Sequence, residues 1–93
     1  MEKKIRAHAL ISGRVQGVFF RMETKRAADK HAVCGWVRNL PDGRVEAVFE
    51  GDKESVEAVL KWCGHGPSHA SVTHVDVRRQ DYTGEFEIFD ITY

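Results

Sequence analysis

Gly13-Arg14-Val15-Gln16-Gly17-Val18-Phe19-Phe20-Arg21 decides the reading of this chain, because it joins the end of a strand to the start of a helix through a short glycine-bearing loop. Upstream, Ile5, Ala7, Ala9 and Ile11 share one face of residues 5–12. That alternation is the mark of a half-buried strand, which Gly13 is expected to end. Downstream, Phe20, Thr24, Ala27, Ala28 and His31 form a stripe of helical period, predicting a first helix that closes near Ala32. A loop in this setting is an anion cradle. The first N–H groups of a helix have no intrahelical acceptor, and the helix dipole favours negative charge at that end. Arg21 adds a planar fork of donors suited to two oxygens of a phosphate. The loop lacks both the Lys-Ser/Thr ending of a P-loop and the three-glycine spacing of the dinucleotide fold, so it suits a small phosphate group rather than a nucleotide.

Working outward, Cys34 to Asn39 and Arg44 to Glu50 read as two strands around Leu40-Pro41-Asp42-Gly43, a hairpin with a Pro-Asp-Gly turn. Asp52 is a good N-cap for a second helix whose apolar positions are Val56, Val59, Leu60 and Cys63, and Gly64 with Gly66-Pro67 stops it. Val72, Val75 and Val77 mark a fourth strand, and Phe89, Ile91 and Tyr93 a short last one. The order is βαββαβ plus a short C-terminal strand. Right-handed crossovers and a shared apolar surface for both helices then predict an α+β, ferredoxin-like sandwich: one antiparallel sheet with two helices on one face. Strands one and two point the same way in that arrangement, which makes Arg21 and Asn39 neighbours. Cys34 and Cys63 fall near opposite ends of helices roughly 15 to 20 Å long, against the Cα separation of about 7 Å that a disulfide tolerates. Free thiols are expected.

The 93 residues are expected to form a single domain, 1–93. Lys plus Arg equals Asp plus Glu at 14 each, so no global field draws the chain to nucleic acid or to a membrane surface. Behind Met1-Glu2-Lys3-Lys4 no apolar run is long enough for a signal peptide, and none could span a bilayer. A soluble, cytoplasmic protein is expected, with a monomer the default for a small neutral domain. His8, His31, His65, His69 and His74 raise a metal site, but Gly66 and Pro67 break the helical spacing of His65 and His69, so a surface reading is preferred. Trp36 and Trp62 read as core or core-edge aromatics.

Gly13 to Arg21, with Gly35-Trp36-Val37-Arg38-Asn39 and Gly43-Arg44-Val45 through Gly51, resembles the two signature stretches of the acylphosphatases, over essentially the whole chain. The resemblance implies a ferredoxin-like fold and hydrolysis of acyl phosphates to a carboxylate and inorganic phosphate, with no metal and no cofactor. It puts Arg21 on the family's phosphate-binding arginine and Asn39 on its water-positioning asparagine. Arg14, Val15, Gln16, Gly17, Val18, Phe19 and Phe20 fall on its phosphate loop. Phe19 occupies a position that varies in the family and so bears on substrate fit. His31, Ala32 and Glu23 depart from the usual pattern on the body and C-cap of the first helix.

The chemistry accounts for what the sequence omits. An acyl phosphate releases a carboxylate, which leaves without a proton from a general acid, so no activated Asp, His or Cys is required. Fixed donors at the phosphoryl oxygens and a positioned water suffice. An RNA-binding module of this fold would need paired exposed aromatics and basic flanks where Arg44 to Glu50 carries acids and only Phe49. A metal chaperone would carry Cys-x-x-Cys where this chain has Val15 to Val18. A non-catalytic anion-binding or regulatory domain is the remaining alternative. It would keep the loop and Arg21 but could dispense with Asn39.

Overall fold

Small and apolar side chains at every second position from Ile5 to Ile11 make the first strand, β1 (Lys4–Arg14), with that face fully buried. A computed structural model describes residues 3–93; Met1 and Glu2 of the charged start lie outside the described residues. The chain continues through α1 (Phe20–Lys30), β2 (Cys34–Asn39), β3 (Val45–Asp52), α2 (Lys53–Cys63), β4 (Ser71–Gln80) and β5 (Phe89–Ile91). The five strands form one sheet in the order β4-β1-β3-β2-β5. Both helices cover the face that carries Ile5, Ala7, Ala9 and Ile11, α2 over β1 and β3, and α1 over β2 and β5. Phe20 of α1 meets Trp62 of α2 at 5.5 Å between ring centroids, and Phe49 stacks on Phe89 at the same distance.

Three expectations change. Gly13 does not end β1: pairing with β4 shifts register between Ser12 and Gly13 and continues to Arg14, opposite Ser71. At Gly13, φ is 121° and a Cβ would fall 2.1 Å from the Ser71 carbonyl oxygen, so the glycine allows a bulge and a close backbone approach inside the strand. The sheet is mixed rather than antiparallel, because β5 pairs parallel with β2. β4 ends at the end of the sheet where β2 begins, so a chain that crosses to the far edge there must re-enter in the direction of β2. Third, β5 stops at Ile91 and leaves Tyr93 beyond the strand.

A buried carboxylate fixes the crossing segment, residues 81–88. Glu50, 3% exposed, accepts hydrogen bonds from the Thr83 N–H, the Thr83 hydroxyl, the Gly84 N–H and Arg6 Nη1 at 2.9 to 3.1 Å. Burial alone would raise its pKa; these donors outweigh that and hold it below the usual carboxylate range. The segment they secure delivers Ile91 and Tyr93 to the opposite edge of the sheet.

The C-terminus of α1 is a Schellman motif in which alanine takes the place best filled by glycine. The Val33 N–H donates to the Ala28 carbonyl at 2.8 Å and the Ala32 N–H to the Asp29 carbonyl at 3.2 Å, while Ala32 itself sits at φ 56°. A Cβ in the left-handed region costs about 1 kcal/mol. Ala32→Gly is therefore expected to stabilise the fold by up to about 1 kcal/mol, raising the thermal midpoint by a few degrees. Calorimetry of the two proteins checks this, and a lowered midpoint would refute it.

Asp52 stands at the N-cap position of α2, as the sequence predicts, and its carboxylate pairs with Lys4. Both cysteines are free thiols, Cys34 half-buried and Cys63 fully buried; burial pushes the Cys63 thiol up to about 12, which makes it unreactive.

Candidate active site

Register brings the two expected residues to one end of the sheet. Ile11 of β1 and Asn39 of β2 both pair with Val45 of the strand between them, so Asn39 lies level with Ile11, about 10 Å across two strand spacings. Asn39 shares its face with Gly35 and Val37 of β2, the face covered by the helices. β1 runs three residues past Ile11 and then enters the loop, which delivers the start of α1 above Asn39. Arg21 and Asn39 accordingly line the same cavity, of about 310 Å³. That volume suits a small molecule.

The loop is shaped by φ angles of alternating sign. Gly17 (φ 73°) and Phe19 (φ 63°) are left-handed, whereas Val18 and Phe20 are not. A Cβ at Gly17 would meet nothing within 4 Å, so the glycine serves the backbone angle and not packing. Such alternation turns successive N–H groups toward one side, the backbone pattern of an anion nest. The N-terminus of α1 adjoins it, with the first bond of the helix running from the Glu23 N–H to the Phe19 carbonyl at 3.0 Å. The arrangement holds a bulky residue, Phe19, in a conformation that costs about 1 to 2 kcal/mol and that glycine would adopt freely.

The loop side chains divide their work. Val15, Val18 and Phe20 are core residues, at most 5% exposed, so only their main chain can meet a ligand. Val15, Gly17, Phe19 and Phe20 border the cavity; Arg14, Gln16 and Val18 do not. Arg14 belongs to β1. The Gln16 side chain reaches away, its amide nitrogen donating to the carbonyls of Leu40 at 2.8 Å and Arg44 at 2.9 Å. It thereby ties the loop to the β2–β3 turn beside Asn39, a role no sequence pattern announces. Met22, Ile91 and Tyr93 complete the lining and were not among the sequence-predicted site residues. An exposed methionine one residue beyond Arg21 and an aromatic past the last strand carry no local signal of a cavity.

Two features bear on reactivity. Among the described residues no carboxylate pairs with Arg21, whose guanidinium carbon stands 5.2 Å from the centroid of the Tyr93 ring. The carboxamide oxygen of Asn39 is buried and has no hydrogen-bond partner among the described residues. Buried polar atoms are ordinarily satisfied.

The residues 7–91 match the family model Acylphosphatase. The chain belongs to the acylphosphatase family. It is 58% identical over 88 residues to an acylphosphatase of Syntrophus aciditrophicus (strain SB), covering 95% of this chain and 92% of the relative. It is 55% identical over 93 residues to one of Syntrophobacter fumaroxidans (strain DSM 10017 / MPOB), covering 100% and 95%. Its structure superimposes on the crystal structure of acylphosphatase from Bacillus subtilis with a TM-score of 0.92 at 32% identity, covering 96% of this chain and 99% of that one. The departures from the acylphosphatase pattern lie away from the cavity. Glu23 pairs with Arg26 at 3.2 Å, His31 caps α1, and Ala32 carries the left-handed angle described above. The other histidines are dispersed: His65 and His69 are exposed, and His8 pairs with Glu46 at 2.7 Å.

Proposed function

We infer that this acylphosphatase hydrolyses acyl phosphates with positioned donors alone: Arg21 and main-chain amides of the 14–20 loop residues that border the cavity, Val15, Gly17, Phe19 and Phe20, hold the phosphoryl group, and Asn39 holds the attacking water. The single observation that carries the reading is the cavity shared by Arg21, the nest at Gly17 to Phe19 and the Asn39 side chain. The Asn39 oxygen, lacking a donor among the described residues, suits a water O–H. The water oxygen attacks phosphorus, the bond from phosphorus to the acyl oxygen breaks, and the electron pair leaves on a carboxylate. The proton lost by the water passes to a phosphate oxygen. Negative charge spreads over the equatorial oxygens as this happens, and the fixed donors stabilise it there. The carboxylate leaves unprotonated, so neither a general acid nor a metal enters the scheme.

Inorganic phosphate is one product and competes for the same cradle. A monomer in the cytoplasm is the setting we propose; no helix among the described residues is long and apolar enough to cross a membrane, and both cysteines are thiols. An assay with benzoyl phosphate in the presence of a metal chelator tests the function. Undiminished hydrolysis with competitive inhibition by phosphate is expected. Loss of activity with the chelator, restored by a divalent cation, would contradict the scheme. Phosphate binding without hydrolysis would favour an anion-binding domain instead.

A further inference from the structure

The hydrolytic reading leaves the far side of the substrate unassigned, and the cavity rim supplies a candidate for it. Resting on that reading, we propose that Phe19, Met22 and Tyr93 form an acyl-binding collar that selects flat, aromatic acyl groups. Large apolar side chains in water are normally scattered singly. Here three of them border one cavity, at 69%, 52% and 97% exposed. Among the described residues Arg21 is the sole charged side chain lining that cavity, so once it grips the phosphoryl group nothing remains to match a charged acyl substituent.

Two of the three are placed by devices that packing does not require. Phe19 keeps its ring at the rim at the expense of a left-handed backbone, where glycine would be relaxed and the loop N–H groups would point the same way. Tyr93 is aligned by the parallel ladder. Ile91 pairs with Val37 and the Thr92 N–H donates to the Val37 carbonyl at 2.8 Å, so two residues further on Tyr93 stands beside Asn39. The Arg21 guanidinium over its ring holds the aromatic face next to the phosphate donors. Two rings and a flexible thioether around a phosphate cradle can cover a planar apolar substituent, whereas an acetyl group offers them only a methyl to cover.

The test compares kcat/KM for benzoyl phosphate and acetyl phosphate in the unmodified protein and in Phe19→Gly, Phe19→Leu and Met22→Ala. The benzoyl-to-acetyl ratio is expected to fall about tenfold in Phe19→Gly, less in Met22→Ala, and little in Phe19→Leu, which keeps apolar bulk. Phe19→Gly relieves backbone strain, so its folding is not in question, and its inhibition constant for inorganic phosphate reports on the loop. A ratio unchanged in Phe19→Gly would overturn the collar and leave the hydrolytic function standing. A fall matched by an equal weakening of phosphate inhibition would overturn it too, since the loop and not the ring would then be responsible. Hydrolysis of neither acyl phosphate by the unmodified protein would sink the function and the collar together.

Discussion

Arg21→Ala is expected to lower kcat/KM for an acyl phosphate by a factor of about 100 to 1,000, and to weaken competitive inhibition by inorganic phosphate as well. Removing one preorganised donor from developing oxyanion charge costs about 3 kcal/mol in comparable sites. Arg21 is the charged donor of the cavity, and no carboxylate among the described residues competes for it. Its half-exposed position on the first turn of α1 means that the fold should survive the change. Arg21→Lys should fall between, because an ammonium keeps the charge and loses the bidentate fork. Steady-state kinetics with a phosphate inhibition series measures both effects. Retained turnover in the alanine variant would remove Arg21 from the site.

Asn39→Ala separates rate from affinity. The rate should fall by about a hundredfold, as for loss of a positioned amide in other active sites, while the inhibition constant for phosphate stays within a few-fold. In the proposed scheme the asparagine touches the nucleophile and not the anion. Stability supplies an independent signature: the buried Asn39 oxygen lacks a partner among the described residues, so deleting it should not lower the unfolding midpoint. Affinity for phosphate falling as far as the rate would assign Asn39 to the cradle instead of the water.

The parts of the fold that the sequence made legible are those set by local pattern. The alternation of Ile5 to Ile11, the stripe from Phe20 and the Pro41-Asp42-Gly43 turn each specify an element on their own. Topology then forced Arg21 and Asn39 to one end of the sheet, because β1 and β2 share a neighbour and a direction. What depends on distant parts of the chain was not legible. β5 is three residues long and its parallel pairing follows from where the 81–88 segment lands, which Glu50 fixes from another strand. Gln16 falls inside the phosphate loop by sequence, yet its amide serves the β2–β3 turn 24 and 28 residues away. The left-handed Phe19 contradicts the residue's own preference, which is why a local reading could place it in the loop without foreseeing its angle. The left-handed position just past the C-cap, Ala32, was flagged by the family resemblance, as a place where glycine is usual.

The direct test of the chemistry is the fate of labelled oxygen. Hydrolysis of benzoyl phosphate in ¹⁸O-enriched water, followed by mass spectrometry of both products, reports which atom the water attacks. Water held by Asn39 against the phosphoryl group must leave one label in inorganic phosphate and none in benzoate. Label in benzoate would mean attack at the acyl carbon, and the assignment of the water to Asn39 and of the phosphoryl group to Arg21 and its loop would fail.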